Sequence, residues 1–124
     1  MNRSDNELKL IPLYEDYMAY IIEMLIKLPR TEKFSIGTDF KQVMYTCLED
    51  IMYINKLDVK YRLNYLNKID AKLNVQRILL RIMKKYGWID LKKFNVSMQK
   101  IYELGKVLGG LIKYYAKDNK KSIW

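Results

Sequence analysis

Between two prolines and five glycines, apolar residues recur at three- and four-residue steps and rarely alternate, a spacing that predicts helices and no strands. The first predicted helix runs from about Ile11 to Leu28, with Tyr14, Tyr17, Ile21, Leu25 and Leu28 on one stripe and Leu13, Tyr20 and Met24 on a second edge; Pro29 stops it. The second, about 36–55, opens on Ser35, whose hydroxyl is expected to accept from a first-turn amide, and carries Phe40, Val43, Cys47, Ile51 and Ile54 on its stripe. A polar connection over 56–60 leads to the longest helix, about 61–86, which Gly87 closes in the left-handed conformation. Asp90 caps the fourth, about 91–116, where Phe94, Met98, Ile101, Gly105, Leu108, Ile112 and Tyr115 form a bundle seam. Residues 1–10 and the basic segment 117–124 hold too little to bury and are expected to be flexible. Short connections make successive helices antiparallel neighbours, so the expected fold is an all-α, antiparallel up-down four-helix bundle over residues 11–116.

The third helix carries more apolar surface than one core requires. Leu66, Ile69, Leu73, Leu80 and Met83 make one stripe, and Val75, Leu79, Ile82 and Tyr86 make another. A single core needs a stripe of only about 100°, so a second burial partner is implied, another subunit being the simplest.

With 124 residues, half of them apolar, the chain fits one domain with a real core. The lone cysteine, Cys47, excludes an intramolecular disulfide and falls in an apolar pattern; a buried thiol in a reduced, cytoplasmic compartment is the expectation. No apolar run approaches the roughly 20 residues that cross a bilayer, so neither an export signal nor a membrane partner is expected.

The net charge of +9 is unevenly placed: residues 1–61 hold 8 basic and 10 acidic side chains, residues 62–124 hold 15 and 4. A polyanion such as nucleic acid is favoured, with its site in the second half. On the third helix Arg77 and Arg81 are one turn apart, Lys84 and Lys85 extend the row, and Lys68 and Lys72 precede it at the same spacing, as a phosphate backbone would need. A solvated face, or pairing with carboxylates of neighbouring helices, explains any one of them equally well. Lys92, Lys93, Lys100, Lys106, Lys113, Lys117, Lys120 and Lys121 follow, interleaved with Tyr114 and Tyr115, although Tyr115 falls on the seam and is read as core.

Catalytic chemistry finds little footing. Histidine is absent, which removes the commonest general base and metal ligand. Glu15-Asp16 and Glu49-Asp50 are adjacent pairs that diverge by about 100° on a helix and cannot share one metal unaided. No phosphate-cradling glycine loop occurs. No enzyme activity, cofactor or metal is therefore expected. Gly105 and Gly109 each cost about 1 kcal/mol inside a helix, and their spacing would let another helix backbone approach.

The run Ile101-Tyr-Glu-Leu-Gly-Lys-Val-Leu-Gly-Gly-Leu-Ile-Lys113 resembles the signature of the accessory variability determinant family of diversity-generating retroelements. Pro12-Leu13-Tyr14, Leu28-Pro29-Arg30, Lys33-Phe34, Ile36-Gly37, Leu79-Leu80-Arg81, Gly87 and Asp90 follow in the family's order, so the resemblance spans about residues 10–115. That family is similar to the four-helix-bundle proteins encoded in intervening sequences of large ribosomal RNA genes. The resemblance implies a homopentameric ring with no catalytic residue, which binds RNA and DNA, associates with a reverse transcriptase and supports mutagenic copying of template RNA. It assigns nucleic-acid contacts to Arg77, Arg81, Lys106 and Lys113. Lys106 stands where the family usually has arginine, and Leu111 where an aromatic commonly follows the glycine pair; lysine keeps the charge and lacks the planar fork that grips phosphate bidentately. A protein-only adaptor and an intervening-sequence-type bundle are the alternatives.

Overall fold

The computed structural model describes the backbone of residues 3–123 and the side chains of residues 9–117. Four long helices form it: α1 (Arg3–Ile26), α3 (Ile36–Tyr53), α4 (Val59–Lys85) and α5 (Leu91–Ile123), with a single-turn α2 (Arg30–Lys33) in the first connection and a 3₁₀ turn (Ile54–Lys56) after α3. No strand occurs among the described residues. Around the bundle the order is α1, α3, α4, α5, each packed on the next, and α5 packs on both α4 and α1.

The expected limits shift in particular places. Helix α1 begins at Arg3 rather than Ile11 and runs through Pro12; proline forfeits one intrahelical bond there, while Leu10, a turn before the predicted start stripe, is buried in the core. The fourth helix continues past 116 to Ile123. The side chains of residues 1–8 and 118–124, and hence the expected looseness of the two ends, lie outside the described residues. Ser35 precedes α3 but its hydroxyl caps nothing: it donates backwards to the carbonyl of Thr31 at 3.1 Å, because the α2 turn ahead of it supplies a nearer acceptor. Asp90 does cap α5, accepting the Lys93 amide at 2.8 Å.

Gly87 ends α4 at φ +74°, its amide on the Lys84 carbonyl at 3.1 Å and the Trp88 amide on the Met83 carbonyl at 2.9 Å. These two bonds satisfy carbonyls that the helix end would otherwise orphan, and the chain reverses tightly into α5.

The predicted core stripes of the first three helices are buried almost as expected, with Val43 at the margin and Met44 added, whereas on the second stripe of the third helix Val75 and Tyr86 are exposed and Leu79 and Ile82 half-buried. On α5 the seam is rotated. Ser97, Ile101, Leu104, Leu108, Leu111 and Tyr115 are buried, whereas Phe94, Met98 and Ile112 lie half-buried on the flank. The core also contains polar groups. Gln76 is 0% exposed; it accepts from the Tyr17 hydroxyl at 2.7 Å and donates to Tyr14 at 3.2 Å, and Tyr14 donates to the Met44 carbonyl at 2.7 Å. This chain ties α1, α3 and α4 together and leaves no described buried side-chain polar atom unpaired, which suits a core where an unmet group costs about 1–3 kcal/mol.

Candidate nucleic-acid interface

Helix α4 supplies most of the expected basic row, and the structure divides that row in two. Four-residue steps keep side chains on one flank, but the five-residue step from Lys72 to Arg77 turns the row by about 140°. Lys72 faces α3, with Nζ 2.5 Å from Oδ2 of Asp50, a carboxylate that is itself nearly buried. Lys68, one turn before it, is exposed with its ammonium 5.2 Å from the Tyr65 ring centroid. Arg77 turns the other way, towards α5.

Arg77 is half-buried and joins two helices. One Nη donates to Asn74 Oδ1 at 2.6 Å and the other to the Ile101 carbonyl at 3.4 Å. A Cβ on Gly105 would stand 2.7 Å from that second nitrogen. The glycine is therefore the seat of a guanidinium, and the expected approach of another helix backbone at Gly105 is not what fills the space; a Cβ at Gly109 would meet nothing within 4 Å.

Beyond Arg77 the flank opens to solvent. Arg81 and Lys85 are exposed and Lys84 is half-buried; none has an acidic partner among the described residues, and Lys85 lies 6.0 Å from the Tyr86 ring centroid. On α5, Lys106 follows Gly105 and turns outward, 5.8 Å from the Tyr102 ring and 4.0 Å from Glu103. Lys113, two turns later on the same outward face, is exposed without an ion pair among the described residues. Arg81, Lys84 and Lys85 thus form one group, Lys106 and Lys113 a second on the adjoining helix, and Lys68 and Lys72 stand apart on the α3 flank. Lys100 is tied to Asp16 of α1 at 2.5 Å.

Other candidate chemistry is absorbed by packing. Cys47 is buried, and desolvation, with a minor contribution from Asp50, pushes its thiol up to about 11, away from a nucleophile's range. Burial also raises Tyr14 and Tyr17 well above the ordinary phenol. Asp50 and Asp16 hold lysines while Glu49 and Glu15 are exposed; no group of three metal-ligating side chains occurs among the described residues. No described helix is long and apolar enough to cross a membrane. Exposed cations without carboxylate partners among the described residues, such as Arg81, Lys85 and Lys113, can hold phosphates by point charge. The aromatic pair Tyr86–Trp88 at the α4–α5 hairpin was not legible as a pair, because residues two apart share no helix face and only the turn at Gly87 brings their rings together.

A family model for bAvd-like proteins matches residues 9–115. Comparison with curated proteins found no match.

Proposed function

The chain belongs to the bAvd-like family, accessory proteins of diversity-generating retroelements, and from that premise we propose that it binds RNA and DNA and associates with the element's reverse transcriptase. It catalyses nothing itself in this reading, and supports mutagenic copying by holding template and polymerase together in the cytoplasm. The observation that carries it is the row Arg81, Lys84 and Lys85 on α4, unpaired with acids among the described residues. Arg77 contributes by fixing α4 against α5, the two helices that present the charge.

A homopentameric ring belongs to the same proposal. Val75 and Ile78 in the middle of α4 are 47% and 49% exposed, next to half-buried Leu79 and Ile82, and a subunit contact there would cover apolar surface that this core leaves wet.

The test is a titration of nucleic-acid-free protein into labelled structured RNA over a range of salt, repeated with Arg81→Glu and Lys85→Glu combined. Affinity that falls steeply with salt, and collapses in a mutant of unchanged mass, supports the proposal. A protein-only adaptor, the reading favoured by the pairing of Lys72 and Lys100 with carboxylates, predicts little binding at any salt.

A further inference from the structure

We propose that the Tyr86–Trp88 pair at the α4–α5 hairpin is a platform on which an unpaired base of single-stranded RNA or DNA stacks, an inference that rests on the nucleic-acid reading above. The two rings lie 5.3 Å apart at 24°, already stacked. Tyr86 is 63% exposed, whereas Trp88 is half-buried against the core. Trp88 is held from behind: its amide is bonded to Met83 and it follows Gly87, whose positive φ only glycine adopts cheaply. The second ring of the stack is thus anchored to the fold and the first rests on it, so a base arriving at Tyr86 meets a surface whose ordering entropy has already been lost.

The charge around the pair suits the same ligand. Lys85 lies 6.0 Å from the Tyr86 centroid, and Lys92 and Lys93 open α5 just beyond the pair. The one acid in the hairpin, Asp90, is engaged by the Lys93 amide. A strand held at its phosphates by Lys85 and the lysines that open α5 would bring a base over Tyr86, the combination of backbone cations and aromatic face by which unpaired bases are held. Tyr61, at the opposite end of α4, is 49% exposed and has Lys60 5.0 Å from its ring, but no stacked aromatic partner among the described residues. It serves as the control.

The experiment compares binding of a short labelled oligoadenylate and a blunt RNA duplex to wild type, Tyr86→Leu, Tyr86→Phe and Tyr61→Leu, with oligomeric mass checked throughout. Tyr86→Leu should bind the single strand about tenfold more weakly with an unchanged salt slope and unchanged duplex affinity; Tyr86→Phe should behave as wild type and so should Tyr61→Leu. In a Trp124→Phe background, where Trp88 is the remaining tryptophan, oligoadenylate should quench the emission, a readout that decides the matter even if Tyr86→Leu fails to fold. The platform is overturned by unchanged single-strand affinity in Tyr86→Leu, by equal losses for single strand and duplex, by an equal loss in Tyr61→Leu, or by no quench at saturation. A changed oligomeric mass would reassign Tyr86 to a subunit contact, and loss of polymerase association with single-strand binding intact would make the pair a protein-docking site; either overturns it. Collapse of duplex binding in the Arg81/Lys85 variant alongside any of these would show that the platform alone has failed. Wild type that binds neither ligand removes the nucleic-acid reading as well.

Discussion

Arg77 and Gly105 are complementary parts of one contact: the guanidinium from α4 occupies the space that a side chain at 105 would fill and donates to the Ile101 carbonyl one turn earlier on α5. Gly105 is thereby explained by an arginine, and Arg77 by a structural role beyond its charge. The two glycines of the Gly-x-x-x-Gly spacing should consequently respond differently to alanine. Gly109→Ala meets open space and should stabilise the monomer fold by about 1 kcal/mol through helix propensity. Gly105→Ala gains the same propensity but displaces the guanidinium, and its net change in urea denaturation should fall below that of Gly109→Ala. Arg77→Ala should restore the full gain of alanine at 105, a non-additivity that a double-mutant cycle reads directly.

Lys72 is paired with Asp50 across α4 and α3. Removing it in Lys72→Ala leaves Asp50, with a side chain 12% exposed, without its partner at 2.5 Å, and should cost about 2 kcal/mol in chemical denaturation. Replacing both residues by apolar ones of similar volume, Lys72→Met with Asp50→Leu, should recover most of that loss. RNA affinity should change little in the double variant.

On the α4–α5 side, each exposed cation that contacts a phosphate should lower the salt slope of RNA binding by about one when changed to alanine. Arg81→Ala, Lys85→Ala and Lys106→Ala are expected to show that decrease. Lys68→Ala, on the α3 flank, should leave slope and affinity unchanged, and parallel titrations separate the two groups.

Stability should fall in alkali. The Cys47 thiol ionises at about 11 in the fold against 9.0 when free, so the unfolded chain releases its proton first as pH rises. The contribution is fully present below about pH 9 and is lost as pH climbs towards 11. Tyr14 and Tyr17, also raised by burial, extend the loss above pH 10. Urea midpoints should be level from pH 7 to 9 and decline beyond, and Cys47→Ala should flatten the first part of the decline.

The Tyr17–Gln76–Tyr14 chain predicts a large effect from a small change. Gln76→Ala leaves the hydroxyl of Tyr17 without its acceptor and opens a cavity in a site that is 0% exposed, so a loss of about 3 kcal/mol is expected by thermal or urea unfolding. Tyr17→Phe, which removes one donor and keeps the volume, should lose about 1 kcal/mol.

The four long helices, the antiparallel order that short connections impose, the Gly87 stop, the Asp90 cap, and most of the core of α1, α3 and α4 were legible in the linear chain. All of these follow from periodicity and from bonds between residues close in the chain, which a linear pattern contains. The sequence also placed the excess charge in the second half, since net charge needs no geometry. The rotation of the α5 seam was not legible, because its apolar flank is wide enough to admit two stripes and only packing on both α1 and α4 selects Ser97, Leu104 and Leu111. Gln76 could not be read as core, because a buried amide is tolerable only where two tyrosines from another helix meet it. Nor could a row of cations on α4 be divided in advance. Lys72 is neutralised by Asp50 of α3 and Arg77 is bound across α5, while Arg81 and Lys85 stay open to a ligand, and this difference depends on which flank of the helix meets which neighbour, a relation that exists only once the bundle has closed.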